Sequence, residues 1–117
     1  MKIVAGAAAG YAKAGYFRII DGIVSPRWFL EPMRDSLRVA GHTVAYAVLR
    51  APLSVCLSRA RDRVPDRLSD AAVIERLSHE FVNLGRLETH VIDTGARAAD
   101  AVADVVNELL QANRLIT

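Results

Sequence analysis

Cysteine occurs once in the 117 residues, at Cys56, so no disulfide can form within the chain and the composition fits a reducing compartment. Lysine is confined to positions 2 and 13, and the other 13 of the 15 basic residues are arginine. Acids and bases are interspersed, and the net charge of +2 is too small to mark a nucleic-acid-binding face. No stretch approaches the roughly 20 uninterrupted apolar residues of a membrane span. The opening MKIVAGAAAGYA is too rich in Ala and Gly to act as a secretory signal. The chain is therefore expected to be soluble and cytoplasmic, with neither nucleic acid nor membrane as a partner. Metal ligation is not expected either, because His79 and His90 lack a partner at ligand spacing. Cys56 lies among apolar positions, as a buried structural thiol does.

What is present is ample core material, since 52% of the residues are hydrophobic and the length suits one domain spanning 1–117. Three apolar runs read as buried strands: Tyr16 to Val24, Thr43 to Arg50 and Thr89 to Asp93. Their apolar residues are continuous rather than alternating, which suits strands covered on both faces. Helical patterns separate them. Pro32 to Ala40 opens on proline and stops at Gly41, and Pro52 to about Arg63 carries Leu53, Cys56, Leu57 and Ala60 on one stripe. Asp70 to Leu84 stops at Gly85, Ala96 to Ala112 closes the chain, and Ile3 to Ala14 is alanine-rich enough to be helical. Strands alternating with helices predict βαβ units, a mostly parallel sheet and a three-layer αβα domain of the α/β class. Ligands in such sheets bind beyond the carboxyl ends of the strands, which directs attention to 21–28, 50–53 and 93–97.

A glycine-rich phosphate loop is missing. Gly10 and Gly15 have the separation of a Walker A pair, but Tyr16 and Phe17 stand where Lys and Ser or Thr are needed, and a strand follows instead of preceding. There is no GxGxxG. Asp21 ends the first apolar run, where a carboxylate can take a proton from a substrate hydroxyl, although Asp-Gly after a strand also makes an ordinary turn. Trp28, Phe29 and Leu30 can wall an acceptor pocket or simply pack in the core. Arg59 and Arg63, four apart, share a helix face, and Arg67 follows Pro65; such a group can clamp phosphate oxygens or remain a solvated face paired with Asp62 and Asp66. His90 to Asp100 reads as a strand, a Thr-Gly turn and a helix.

In order, a strand ending in IIDGIVSPRWFLEP, a helix, VAYAVLRAPLSVCLSRARDR, a helix with HEFVNLG, and HVIDTG before a final helix resemble the carboxyl-terminal two-thirds of small P-loop kinases. The nearest group is the AAA-type ATP-binding proteins akin to chloramphenicol phosphotransferase, gluconate kinase and shikimate kinase. The resemblance covers roughly Ala8 to Leu110 and lies in the order of segments more than in any one of them. It implies a P-loop-kinase-like fold with ATP and Mg²⁺ as cofactors and a small-molecule acceptor. It also implies that Asp21 is the carboxylate beside the acceptor hydroxyl, with Ser25, Arg27 and Trp28 lining the acceptor pocket. Arg59, Arg63 and Arg67 would then close on ATP phosphates, and Asp93, Thr94 and Gly95 would begin the loop beside the adenine. Arg50 and Pro52 match the family's LR-x-P turn.

In that family the first strand and the Walker A loop come before the region where this sequence begins. Without that loop's Lys and hydroxyl the chain is expected to bind ATP poorly and to catalyse little. The absent strand would also leave sheet edges unpaired. A misplaced start, a fragment completed by another chain, or a domain that closes the gap as a homodimer would each account for it. A catalytically silent binding or oligomerisation module on the same scaffold is the alternative reading.

Overall fold

The computed structural model describes residues 2–63 and 70–117, so the expectation for Arg67 lies outside the described residues. The chain divides into two compact units, residues 1–46 with 116–117 and residues 47–115.

In the first unit, helix α1 spans Lys2–Lys13 and ends on Gly15, whose φ of +84° is a conformation glycine adopts without cost. The chain then runs without secondary structure to Ser25. A π-helical turn, Pro26–Leu30, follows, in which the Ser25 carbonyl accepts from the amides of both Phe29 and Leu30 at 3.1 Å. Leu30 keeps helical dihedrals, so the turn passes directly into helix α2, Glu31–Val39. Pro32 occupies the first turn of α2, where its missing N–H costs nothing. At the far end the Gly41 amide donates to Arg38 O and the His42 amide to Leu37 O, with Gly41 at φ +83°: a Schellman stop. Ala5, Met33 and Leu37 bury against one another, with Ala8, Ala9, Val24 and Val44 around them, so α1 and α2 share a small apolar seam. The unit closes through an antiparallel bridge between Ala45 and Ile116 and the Tyr46 hydroxyl, which donates to Val24 O at 2.7 Å. Burial raises the pKa of that phenol.

The expected strand at Tyr16–Val24 does not form. Tyr16, Phe17, Ile19 and Ile23 are exposed, and no strand among the described residues pairs with the segment. Its apolar residues face water where a doubly covered strand would bury them. An apolar run becomes a strand only when a neighbour takes its backbone hydrogen bonds.

The second unit is mixed α/β. Strand β1, Val48–Arg50, pairs in parallel with strand β2, Val91–Asp93, in the register Val48↔Val91, Leu49↔Ile92 and Arg50↔Asp93. Both strands are shorter than their apolar runs. Gly85–His90 coils as a 3-10 helix before β2, and residues 43–47 stay out of the ladder apart from the Ala45 bridge. Helix α3, Leu53–Arg61, is preceded by Pro52 as N-cap, and helix α4, Ala71–His79, by Asp70, whose carboxylate accepts from the Ala72 amide at 2.9 Å. Helix α5, Ala99–Gln111, packs on β2 and ends at Asn113, φ +54°, where the Arg114 amide donates to Leu109 O. Val48, Ile92, Ala60, Val102 and Leu115 are the unit's buried apolar residues. Cys56 is half-buried, its thiol 3.7 Å from Ala51 O.

Two helices stop earlier than their patterns suggest. α4 ends at His79 instead of Leu84, and the chain turns through Asn83, φ +56°, and Gly85, φ +60°. α3 ends at Arg61, capped by the Asp62 amide on Ser58 O, so Arg63 lies past the helix and does not share a helix face with Arg59. Proline at 65 disfavours helical geometry at the residue before it, which works against continuation of α3. Two parallel strands are the whole named sheet among the described residues.

Candidate functional site

The parallel pair ends at Arg50 and Asp93, and the chain beyond each strand is tied down by short contacts. The Thr94 amide donates to Arg50 O at 2.8 Å and its hydroxyl lies 3.5 Å from the same oxygen, extending the β1–β2 ladder by one rung. Asp93 then folds its carboxylate back to accept the Gly95 amide at 2.7 Å, an Asx turn that reverses the chain. Gly95 is the one glycine here whose lack of a side chain is required by its surroundings. A Cβ at this position would sit 2.9 Å from Pro52 Cδ and 3.1 Å from Asp93 Oδ1. The Pro52 ring and the Thr94–Gly95 turn are therefore in contact at the carboxyl ends of the two strands.

Arg59, two turns into α3, donates from Nη2 to the Thr94 carbonyl at 2.7 Å. Asp93, Thr94, Gly95 and Arg59 are thus brought together, as are Arg50 and Pro52, which flank them. Gly95 is half-buried and Asp93 exposed, so the turn is reachable from solvent. Arg63 is exposed beyond the helix and makes no hydrogen bond or ion pair among the described residues.

Behind this turn lies a clasp that no local pattern announces. Arg50 pairs with Glu88 in bidentate fashion, Nη1 to Oε1 at 3.0 Å and Nη2 to Oε2 at 2.9 Å, and Nη1 also donates to Phe81 O at 3.0 Å. Glu88 Oε1 in turn accepts the Leu84 amide at 2.9 Å. The Arg50 hydrogen bond and then the Leu84 amide lower the Glu88 pKa, while the Glu88 hydrogen bond raises that of Arg50. One residue therefore holds the candidate turn with its backbone and the 81–88 segment with its side chain. Arg50 is singled out in the sequence only by its place at the end of a strand, and Glu88 by nothing, because a separation of 38 positions hides the pair.

The remaining candidates belong to the first unit. Asp21 is exposed in the irregular segment and has no hydrogen-bond partner among the described residues. Ser25 is buried at the start of the π-helical turn with its hydroxyl unpartnered, and Arg27 and Trp28 are exposed on that turn. Arg18, between them and α1, lies over the rings of Tyr11 and Tyr16 at 4.8 and 4.7 Å from their centroids. A shallow depression lined by Ala9, Gly10, Lys13, Ala40 and His42 contains none of the candidate residues. No cluster of three or more His, Cys, Asp or Glu suited to a metal ion occurs among the described residues. No described helix is long and apolar enough to cross a membrane. Compared with known proteins, the chain matches no family model, and no curated protein matches it significantly.

Proposed function

We propose that the chain is an ATP-binding, small-molecule phosphotransferase-like domain whose sheet belongs to a three-layer P-loop-kinase-like fold. The observation that carries the reading is the Arg59–Thr94 contact. It joins an arginine suited to phosphate oxygens with a Thr-Gly turn suited to a nucleotide base, at the carboxyl ends of parallel strands. In this reading Asp93, Thr94 and Gly95 border the base, and Arg59 leaves Thr94 O for the phosphates when nucleotide arrives. Arg63, exposed past α3, joins it, and Arg67 is assigned the same role on sequence alone. Asp21, assigned on the sequence resemblance alone, takes the proton of an acceptor hydroxyl as that oxygen bonds to the terminal phosphorus of ATP and the bond from that phosphorus to the bridging oxygen breaks, releasing ADP, while arginines offset the charge that develops. Ser25, Arg27 and Trp28 are assigned to the acceptor. The phosphate grip and the hydroxyl that would hold Mg²⁺ must come from outside these 117 residues, which contain no GxxxxGK[ST].

Titration of the labelled chain with Mg²⁺-ATP, followed by amide resonances, tests the reading. Shifts are expected at Thr94 and Gly95, lost in Arg59→Ala, and unsaturated at about 1 mM, the upper end of usual enzyme affinities. Silence at that turn, or tight saturable binding elsewhere, overturns it.

The alternative is a catalytically silent oligomerisation module on the same scaffold. It is favoured by the exposed apolar residues of the Tyr16–Val24 segment, for which catalysis has no use.

A further inference from the structure

We infer that the segment around Ile20 is the seam of a symmetric homodimer, formed by antiparallel pairing of Arg18–Gly22 with the same residues of a second copy. The inference rests on the oligomerisation reading and adds to it the partner, the segment and the register. It does not depend on nucleotide binding.

The first support is area. Tyr16 is 64% exposed, Phe17 76%, Ile19 83% and Trp28 70%, with Ile20, Ile23 and Phe29 also exposed. With about 200 Å² for each aromatic residue and somewhat less for each isoleucine, these seven residues present on the order of 800 Å². Summed residue by residue, this is large beside the roughly 300–600 Å² of apolar surface in the largest patch of a typical monomer. It also matches the roughly 800 Å² that each partner contributes to a standard interface.

The second support is the backbone. Between Tyr16 and Val24 the only main-chain amide donations among the described residues are Tyr16 N to Tyr11 O and Val24 N to Gly22 O, which leaves the amides and carbonyls of residues 18–21 without a partner among those residues. The segment is irregular, with a bend at Gly22, and a β-branched stretch with open backbone groups pairs by strand addition once a second strand straightens it. Every copy carries the same open segment, so a second copy takes one edge of it and offers the matching edge of its own.

Two-fold symmetry then restricts the register. In an antiparallel pair related by a two-fold axis, the central residue faces itself. Centring on Arg18 or Asp21 would set like charges opposite each other, which is destabilising. Centring on Ile20 sets Ile20 against Ile20, Arg18 against Gly22, which has room to receive it, and Ile19 against Asp21. Phe17 and Ile23 then meet at the ends as an aromatic and β-branched pair. No like charges oppose each other in this arrangement.

Sedimentation of the full chain over a wide concentration range, with thiol cross-linking, decides the matter. Facing residues in an antiparallel pair have Cα atoms about 4.5–5.5 Å apart, within the span a disulfide bridges. In a Cys56→Ser background, Ile20→Cys should therefore oxidise rapidly to a covalent dimer. Val39→Cys, at the end of α2 and 90% exposed, should not. Ile20→Lys, which places two ammonium groups face to face, should weaken the dimer by about tenfold or more with an unchanged circular dichroism spectrum. A monomer at every concentration overturns both this seam and the oligomerisation reading. A dimer in which Ile20→Cys cross-links no faster than Val39→Cys overturns the seam alone, as does growth into open-ended assemblies.

Discussion

Tyr16–Val24 and the pair Val48–Arg50 with Val91–Asp93 are similar in composition, yet only the second forms a sheet. All are short, rich in Val, Ile and Leu, and bounded by turn residues. In the second unit each strand satisfies the other, and α5 covers β2, so Ile92 is 3% exposed. In the first unit the irregular segment has no neighbouring strand among the described residues to take its amides, and Ile19 stands in water. Strand formation is thus a property of a pair: β-propensity expresses how well a residue fits a pleated, half-covered surface, and it has no effect where that surface is absent.

The largest effect expected from breaking this contrast is at Ile92. Ile92→Ala removes buried methyl groups and leaves a cavity, and should lower unfolding free energy by about 2–5 kcal/mol in urea titrations. A loss comparable to that of an exposed isoleucine would show that β2 is not core.

Gly95→Ala comes next. Its new methyl meets the Pro52 ring, part of a constrained backbone, so the turn or the proline must move. Overpacking of this kind typically costs about 1–3 kcal/mol. Because Thr94 O accepts from Arg59, the displacement should also change the Arg59 guanidinium resonance. A shift confined to Gly95 would show that the contact does not link α3 to the turn.

These sites differ in how far the sequence revealed them. Helix ends were legible where a stop is encoded locally: Gly41 takes positive φ after α2, Asp70 caps α4, and Pro32 opens α2, whereas Gly85 does not end α4, which stops at His79. Thr94 and Gly95 were legible because a Thr-Gly pair after an apolar run marks a turn, and the arginine that reaches it was one of a visible group. The Arg50–Glu88 clasp was not legible, since neither residue carries a local signal and their meeting depends on the fold. The fate of Tyr16–Val24 was not legible for the same reason, because its pattern holds no information about its neighbour. The lengths of β1 and β2 depended likewise on how far the two backbones run side by side, which is set by the helices and turns between them.

The clasp supplies a smaller, pH-dependent effect. Glu88 titrates below its ordinary value because Arg50 and the Leu84 amide stabilise its charged form. A carboxylate depressed in this way adds stability above the unfolded carboxylate pKa, and that stability is lost as pH falls through the folded value. Glu88→Gln should therefore flatten the acid limb of a stability–pH curve, lying below the parent at mildly alkaline pH and converging on it in acid, where the parent has lost the Glu88 charge. Since both side chains are partly exposed, the size of the effect should fall at high ionic strength.

The smallest effect is expected where the two regions diverge most. Ile19 has the β-branched side chain of Ile92 but is 83% exposed. Ile19→Ser removes apolar surface that water already reaches, so in dilute solution, where any self-association is absent, the unfolding free energy should change by within about 0.5 kcal/mol. Repeating the measurement at high protein concentration separates two meanings of that small number. If the segment stays open, the two isoleucines keep their unequal values at every concentration. If it pairs with a second copy, the cost of Ile19→Ser grows with concentration, because stability gained by association follows mass action, and the segment behaves as a strand once its neighbour is supplied.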